Sequence, residues 1–141
     1  DHRESRGLGD VYKRQHYYLS VPLFLVIILL ISSNAKKGGK RISSQELVAL
    51  SNEGKTVILD LRSADDFNEG HITNSINIPF KDLDDRSHEI PSNEEKQIAL
   101  ICEMGSNSGN AGEQLMKLGF KDILILSGGI SQWKMDNLPL V

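Results

Sequence analysis

Residues 98–108 read IALICEMGSNS, and the architecture follows from them. The apolar run 98–101 has the length and composition of a strand buried in a parallel sheet, and it leads directly into Cys102. Beyond a short polar loop, residues 108–118 place Ala111, Leu115 and Leu118 on one helical face, with Gly119 as the expected stop. A strand, a tight loop and a helix in that order make a βα unit, and the pattern repeats on both sides. Toward the N-terminus, residues 57–61 (VILDL) form another buried strand. Before it, residues 44 to about 52 form a helix carrying Leu47, Val48 and Leu50, opened by the capping-box spacing of Ser43 and Glu46 and ended by Gly54. Residues 75–79 are a brief extended piece, and 80 to about 88 a polar helix. Toward the C-terminus come a third buried strand at 123–126, a tight turn at Gly128-Gly129 and a last short helix at 130–135. Strands alternating with helices imply right-handed crossovers and a mostly parallel sheet covered on both faces, so residues 42–141 are expected to form one α/β domain.

The chain has 141 residues, of which 39% are apolar and 25% charged, enough for one domain with an appendage and too few for a second catalytic domain. Charge is distributed unevenly. Residues 1–41 carry eight Lys or Arg against three Asp or Glu, whereas residues 42–141 carry eight against sixteen. A domain this acidic repels phosphate backbones, which argues against nucleic acid as a partner. Cys102 is the single cysteine, which excludes an internal disulfide and any Cys-x-x-Cys zinc or dithiol site. His2, His16, His71 and His88 are scattered without metal-ligand spacing, so no metal is expected.

Residues 1–16 show neither helical nor strand periodicity, and 10–15 resemble a translated sequencing adaptor, so this stretch is read as a non-native or disordered tail. Residues 17–33, YYLSVPLFLVIILLISS, carry no charge. That length suffices for a transmembrane helix, with Tyr17 and Tyr18 as interfacial anchors. Residues 34–41 form a basic, flexible linker with Lys36, Lys37, Lys40, Arg41 and two glycines. By the positive-inside rule the basic cluster, and the domain after it, belong in the cytoplasm. The alternative is a signal peptide cleaved near Ser33-Asn34-Ala35, which exports the domain to the periplasm. Basic residues just past a cleavage site hinder export, which favours the anchor.

The position of Cys102 carries chemistry. A loop between a strand's C-terminal end and a helix N-terminus aims backbone N–H groups at one point, and the helix dipole adds partial positive charge there. A cysteine so placed is favoured as a thiolate and becomes a nucleophile. A small buried hydrophobe at a strand end is the competing reading. Gly105 favours the nucleophile, because it lets the loop curl around the sulfur.

Asp60-Leu61-Arg62, Phe67, Gly70-His71-Ile72, Asn77-Ile78-Pro79, Cys102 with Gly105, Leu118-Gly119-Phe120, and Gly128-Gly129-Ile130 with Trp133 together resemble the rhodanese-like domain family. The resemblance covers residues 42–141 and implies a three-layer sandwich around a five-stranded, mainly parallel sheet. It further implies a sulfurtransferase or persulfide carrier without a cofactor. Cys102 would accept sulfane sulfur as a persulfide and pass it to a thiol or protein acceptor. The loop of Glu103, Met104, Gly105, Ser106, Asn107 and Ser108 would cradle that persulfide through its backbone N–H groups. An apolar segment joined to one such domain is similar to a group of bacterial inner-membrane, single-domain members.

Two departures from the family pattern matter. Catalytic members commonly carry a basic residue after the cysteine and an arginine five residues on, where this chain has Glu103 and Asn107. Both remove positive charge from the mouth of the loop, so the thiolate is less favoured and a dianionic donor such as thiosulfate is expected to react weakly. Without the arginine and the longer loop of the phosphatase relatives, phosphate and arsenate chemistry is excluded. Asp60 and Arg62 are expected to support the loop as an ion pair or clamp. His71 is read as a scaffold residue satisfying backbone groups, Phe120 and Trp133 as core and docking aromatics, and Asp65, Asp66, Asp82, Asp84 and Asp85 as solvated faces. The competing functional class is a non-catalytic binding module presenting the same loop to a protein partner at the membrane.

Overall fold

The computed structural model describes residues 2–35, 38–91 and 95–141. The chain divides into two compact units, Asp1–Ala35 and Lys36–Val141.

The first unit is one helix, α1 (His2–Ala35). Within it, Arg14–Ser33 is long and apolar enough to cross a membrane. The tail expected at 1–16 is helical from His2 onward. Once a helix is nucleated, each added residue gains a hydrogen bond for fixing only its own backbone, and the first proline is Pro22.

The second unit carries β1 (Lys40–Ile42), α2 (Ser44–Asn52), β2 (Thr56–Asp60), α3 (Ala64–Glu69), β3 (Ile76–Asn77), α4 (Leu83–Arg86), β4 (Gln97–Ile101), α5 (Ser108–Lys117), β5 (Ile123–Leu126) and α6 (Gly129–Met135). The five strands lie in the order β1-β5-β4-β2-β3, and every pairing is parallel. Side chains alternate between faces, so each strand feeds two cores. Ile58, Ala99, Ile101, Leu124 and Leu126 join Leu47, Ile130 and Trp133 in one. Leu59, Ile98, Leu100 and Ile123 join Leu83, Ala111 and Leu115 in the other. Apolar burial on both faces explains why the strands read as continuous runs.

The capping box expected at Ser43 is met atom by atom. The Ser43 side chain accepts the Glu46 N–H at 3.2 Å, and the Glu46 carboxylate accepts the Ser43 N–H at 3.0 Å, completing the capping box of α2. Residues 80–88, read as one polar helix, are instead a 3₁₀ turn (Phe80–Asp82), α4 and a second 3₁₀ turn (Ser87–Glu89). Only Leu83 among them is fully buried, too small an apolar stripe to hold a continuous helix on the core. Helix α3 was not anticipated, although its cap is local: Ser63 accepts the Asp66 N–H at 3.3 Å.

The linker reading needs the largest correction. Lys36 and Lys37 lie outside the described residues. Lys40 and Arg41 are not linker but strand, registered against Leu124 and Ile125 of β5, and Gly38 is buried where α5 carries Gly109 and Gly112. A three-residue edge strand with charged side chains has no apolar alternation to betray it, and charges on an edge discourage pairing with other chains.

Candidate functional site

Strands β2 and β4 are neighbours, but the chain leaves β2 toward β3 at one edge and leaves β4 toward β5 on the other side. Their connections diverge, and the crevice opened at the carboxyl ends of two such strands is where ligands bind in parallel sheets. Asp60 and Arg62 stand at the end of β2, and Cys102 at the end of β4.

Cys102 is buried, and the chain turns around its sulfur rather than away from it. The Gly105 N–H donates to Cys102 Sγ at 2.7 Å. Gly105 does so with φ +86°, a left-handed backbone that glycine adopts without strain. Glu103, Met104, Ser106 and Asn107 form the exposed rim of the loop, and Ser108 begins α5. The Ser108 hydroxyl is buried and has no hydrogen-bond partner among the described residues.

The loop is braced from behind by α6. Ile130 N–H donates to the Cys102 carbonyl at 2.9 Å, and Ser131 N–H to the Glu103 carbonyl at 3.1 Å. That approach requires glycine at 129, because a Cβ there would strike the Cys102 carbonyl oxygen and lie 2.8 Å from that of Glu103. The expected turn at Gly128-Gly129 is thus also a packing device for the cysteine loop.

From β2, Arg62 meets Asp60 with Nη2 to Oδ2 at 2.9 Å and Nε to Oδ1 at 3.1 Å, both residues being buried. Arg62 Nη2 also donates to the Gly70 carbonyl at 2.7 Å, and Asn77 Nδ2 bonds the Arg62 carbonyl at 2.9 Å. The remaining nitrogen, Nη1, lies 3.9 Å from the Glu103 carboxylate. Burial disfavours the guanidinium charge, but the hydrogen bond and charge of Asp60, with the charges of Glu103 and Asp66, outweigh it and raise the pKa of Arg62 above its ordinary value. The clamp expected of Asp60 and Arg62 therefore extends into the cysteine loop. Glu103, which stands where the family commonly has a basic residue, has a cation beside it.

A cleft of about 270 Å³ runs along this side, lined by Arg62, Asp66, Glu69, Gly70, Glu103, Lys134 and Leu140. Sequence reasoning missed Arg41. Its Nη1 lies 3.8 Å from the point where a Cβ on Gly105 would stand. The only sequence signal was a basic residue next to the domain boundary, and that was absorbed by the membrane argument. His71 and Trp133 lie in the scaffold. His71 Nδ1 is 2.9 Å from the Phe67 carbonyl with its ring stacked on Phe67, and Trp133 Nε1 donates to the Pro139 carbonyl at 3.1 Å.

Residues 43–136 match the model of the rhodanese-like domain. The chain belongs to that family. Relatives include the uncharacterised protein BU052 of Buchnera aphidicola, 31% identical over 119 residues, which cover 84% of this chain and 83% of that one. The thiosulfate sulfurtransferase GlpE of Shewanella oneidensis is 31% identical over 99 residues, covering 70% of this chain and 95% of that enzyme. Among solved structures, a rhodanese-related protein from Thermoplasma volcanium superposes with a TM-score of 0.64 at 32% identity, over 72% of this chain and 97% of the other. The α/β rhodanese-like fold with a five-stranded parallel sheet thus agrees with that read from the sequence.

Proposed function

We propose that this rhodanese-like domain is a sulfurtransferase or persulfide carrier that moves sulfane sulfur through Cys102. The observation that carries the reading is the Gly105 N–H held 2.7 Å from a buried Cys102 sulfur at a strand-to-helix turn. That N–H fixes the sulfur at the mouth of the loop, and the same loop can hold the outer sulfur of a persulfide by its backbone. Similarity to thiosulfate sulfurtransferases supports the same assignment.

The chemistry runs in two displacements. The Cys102 thiolate attacks the sulfane sulfur of a donor, the donor's S–S bond breaks, and its electron pair departs with the leaving group, sulfite where thiosulfate is the donor. A thiol or protein acceptor, as thiolate, then attacks the outer sulfur of the persulfide; the persulfide bond breaks and the Cys102 thiolate returns. The bond from α6 to the Cys102 carbonyl keeps the nucleophile fixed, and Arg62, held by Asp60, places Nη1 3.9 Å from the Glu103 carboxylate.

The helix spanning Arg14–Ser33 is proposed to anchor the domain to a bacterial inner membrane, with the domain facing the cytoplasm and acceptors presented there. One observation favours the second reading, a non-catalytic partner-binding module: the loop itself carries Glu103 and Asn107 and no cation. Intact-mass spectrometry of the full chain in detergent, exposed to thiosulfate and separately to a persulfide donor, separates the two. One added sulfur, removed by cyanide and absent from Cys102→Ser, is the expected result. No added sulfur from either donor overturns sulfur transfer and favours the binding module.

A further inference from the structure

We propose that Arg41, on the edge strand β1, is the anion-positioning residue of the Cys102 loop, supplying from outside the loop the positive charge that the loop's own sequence lacks. Its ligand is the oxyanion end of a sulfur donor of the sulfonate class. The proposal rests on the sulfur-transfer reading for its substrate, but not for its geometry.

Gly105 is the pivot. On one side its N–H meets Cys102 Sγ at 2.7 Å. On the other, the place a side chain would occupy is bounded by Arg41 Nη1 at 3.8 Å and by the backbone nitrogens of Gly128 and Gly129 at 3.5 and 3.8 Å. With two covalent bonds of about 1.5 Å between these contacts, the guanidinium lies no farther than about 9.5 Å from the sulfur. Gly105 has no side chain to fill the place between these groups.

Arg41 is also the right kind of cation and is uncommitted. Arg62 and Arg86 are engaged with Asp60 and Glu89, whereas Arg41 makes no ion pair among the described residues. Its side chain is exposed while its backbone is fixed, because β1 registers Arg41 against Ile125 of β5. The same strand pair continues through the Ser127 N–H, which donates to the Ile42 carbonyl at 2.9 Å, into the Gly128-Gly129 turn that braces the loop. Arg41 and the cysteine loop are thus held by one element. A planar guanidinium pairs with an oxyanion through two parallel hydrogen bonds and stays charged at all working pH values.

The test uses the full chain in detergent and the fact that Cys102 is the only thiol. Two alkylating agents of similar size report on charge alone: anionic iodoacetate and neutral iodoacetamide, each followed by intact mass. Arg41→Gln is expected to lower the iodoacetate-to-iodoacetamide rate ratio about tenfold, the factor carried by one charge-assisted hydrogen bond, and to leave the iodoacetamide rate within about twofold. Arg41→Lys is expected to keep most of the ratio. In parallel, sulfur loading from thiosulfate should fall about tenfold in Arg41→Gln through the concentration needed rather than the limiting rate. An unchanged alkylation ratio overturns the role of Arg41 whatever thiosulfate does. A wild-type protein whose ratio depends on Arg41 but which gains no sulfur from thiosulfate or from a persulfide donor keeps the anion site and removes the sulfur-transfer reading.

Discussion

Gly129→Ala tests whether α6 holds the cysteine loop in its working shape. Gly129 has φ +60°, and an alanine Cβ there would meet the Cys102 carbonyl oxygen and stand 2.8 Å from that of Glu103. Ordinary contact begins at 3.4 Å, so the Glu103 carbonyl must retreat by at least 0.6 Å, and that of Cys102 by more. Both carbonyls accept hydrogen bonds from α6, at 2.9 and 3.1 Å, so the retreat stretches those bonds and carries the backbone of Cys102 with it. A left-handed backbone costs a residue with a Cβ about 1–2 kcal/mol, and weakening two hydrogen bonds adds about 1 kcal/mol each at most, for a loss of about 1–4 kcal/mol. Misplacement by about 1 Å at a reacting atom costs on the order of 10² in rate. Sulfur loading of Cys102 from thiosulfate, timed by intact mass at a temperature where the variant is folded, is therefore expected to slow by about 10- to 100-fold. Urea unfolding of the variant should show the stability loss. Wild-type loading together with a wild-type unfolding midpoint would refute the brace and the geometric argument behind it.

Arg62→Met strips the cation from Asp60, which is 0% exposed, and should cost about 3–5 kcal/mol by urea unfolding. Combining it with Asp60→Asn should recover part of that loss, and a single variant as stable as wild type would mean that the buried pair is not what holds the end of β2. Glu89 has its carboxyl pKa lowered from 4.5, first by the hydrogen bond from Arg86 and then, against burial, by the charges of Arg86 and His88. A depressed folded value means the contribution is complete above the unfolded value and lost as pH falls through the folded one. Glu89→Gln should therefore be less stable than wild type at pH 7, with the difference shrinking as the pH falls below the ordinary carboxylate value; a gap that stays the same size would contradict the assignment. In bacterial membranes washed with carbonate, the chain should remain membrane-bound with residues 17–33 present in its mass, whereas a released species beginning near residue 36 would establish cleavage and export.

The apolar runs of β2, β4 and β5 were legible because a strand buried on both faces has no polar residue to interrupt it, and α2 because its capping box is written within four residues. The cysteine loop was legible too, since a cysteine between a strand and a helix with glycine three positions on is a local statement about backbone shape. What escaped were pairings between residues far apart in the chain. Lys40 and Arg41 look like linker until β5 is laid beside them, for a charged three-residue edge strand acquires its conformation from its neighbour's hydrogen bonds and not from its own pattern.

The same division holds in the site. By itself the sequence determined the nucleophile candidate, the glycine that wraps it, and the negative balance of the domain, because residue type and short-range spacing dictate turns, burial and charge. Only the tertiary structure decided that Arg62 stands against Glu103, that Gly129 lets α6 grip the carbonyls of Cys102 and Glu103, and that Arg41 reaches the loop from the sheet edge. Periodicity reports which face of an element is buried; it does not report which side chains from other elements meet there. The electrostatics of the Cys102 loop depend on those meetings.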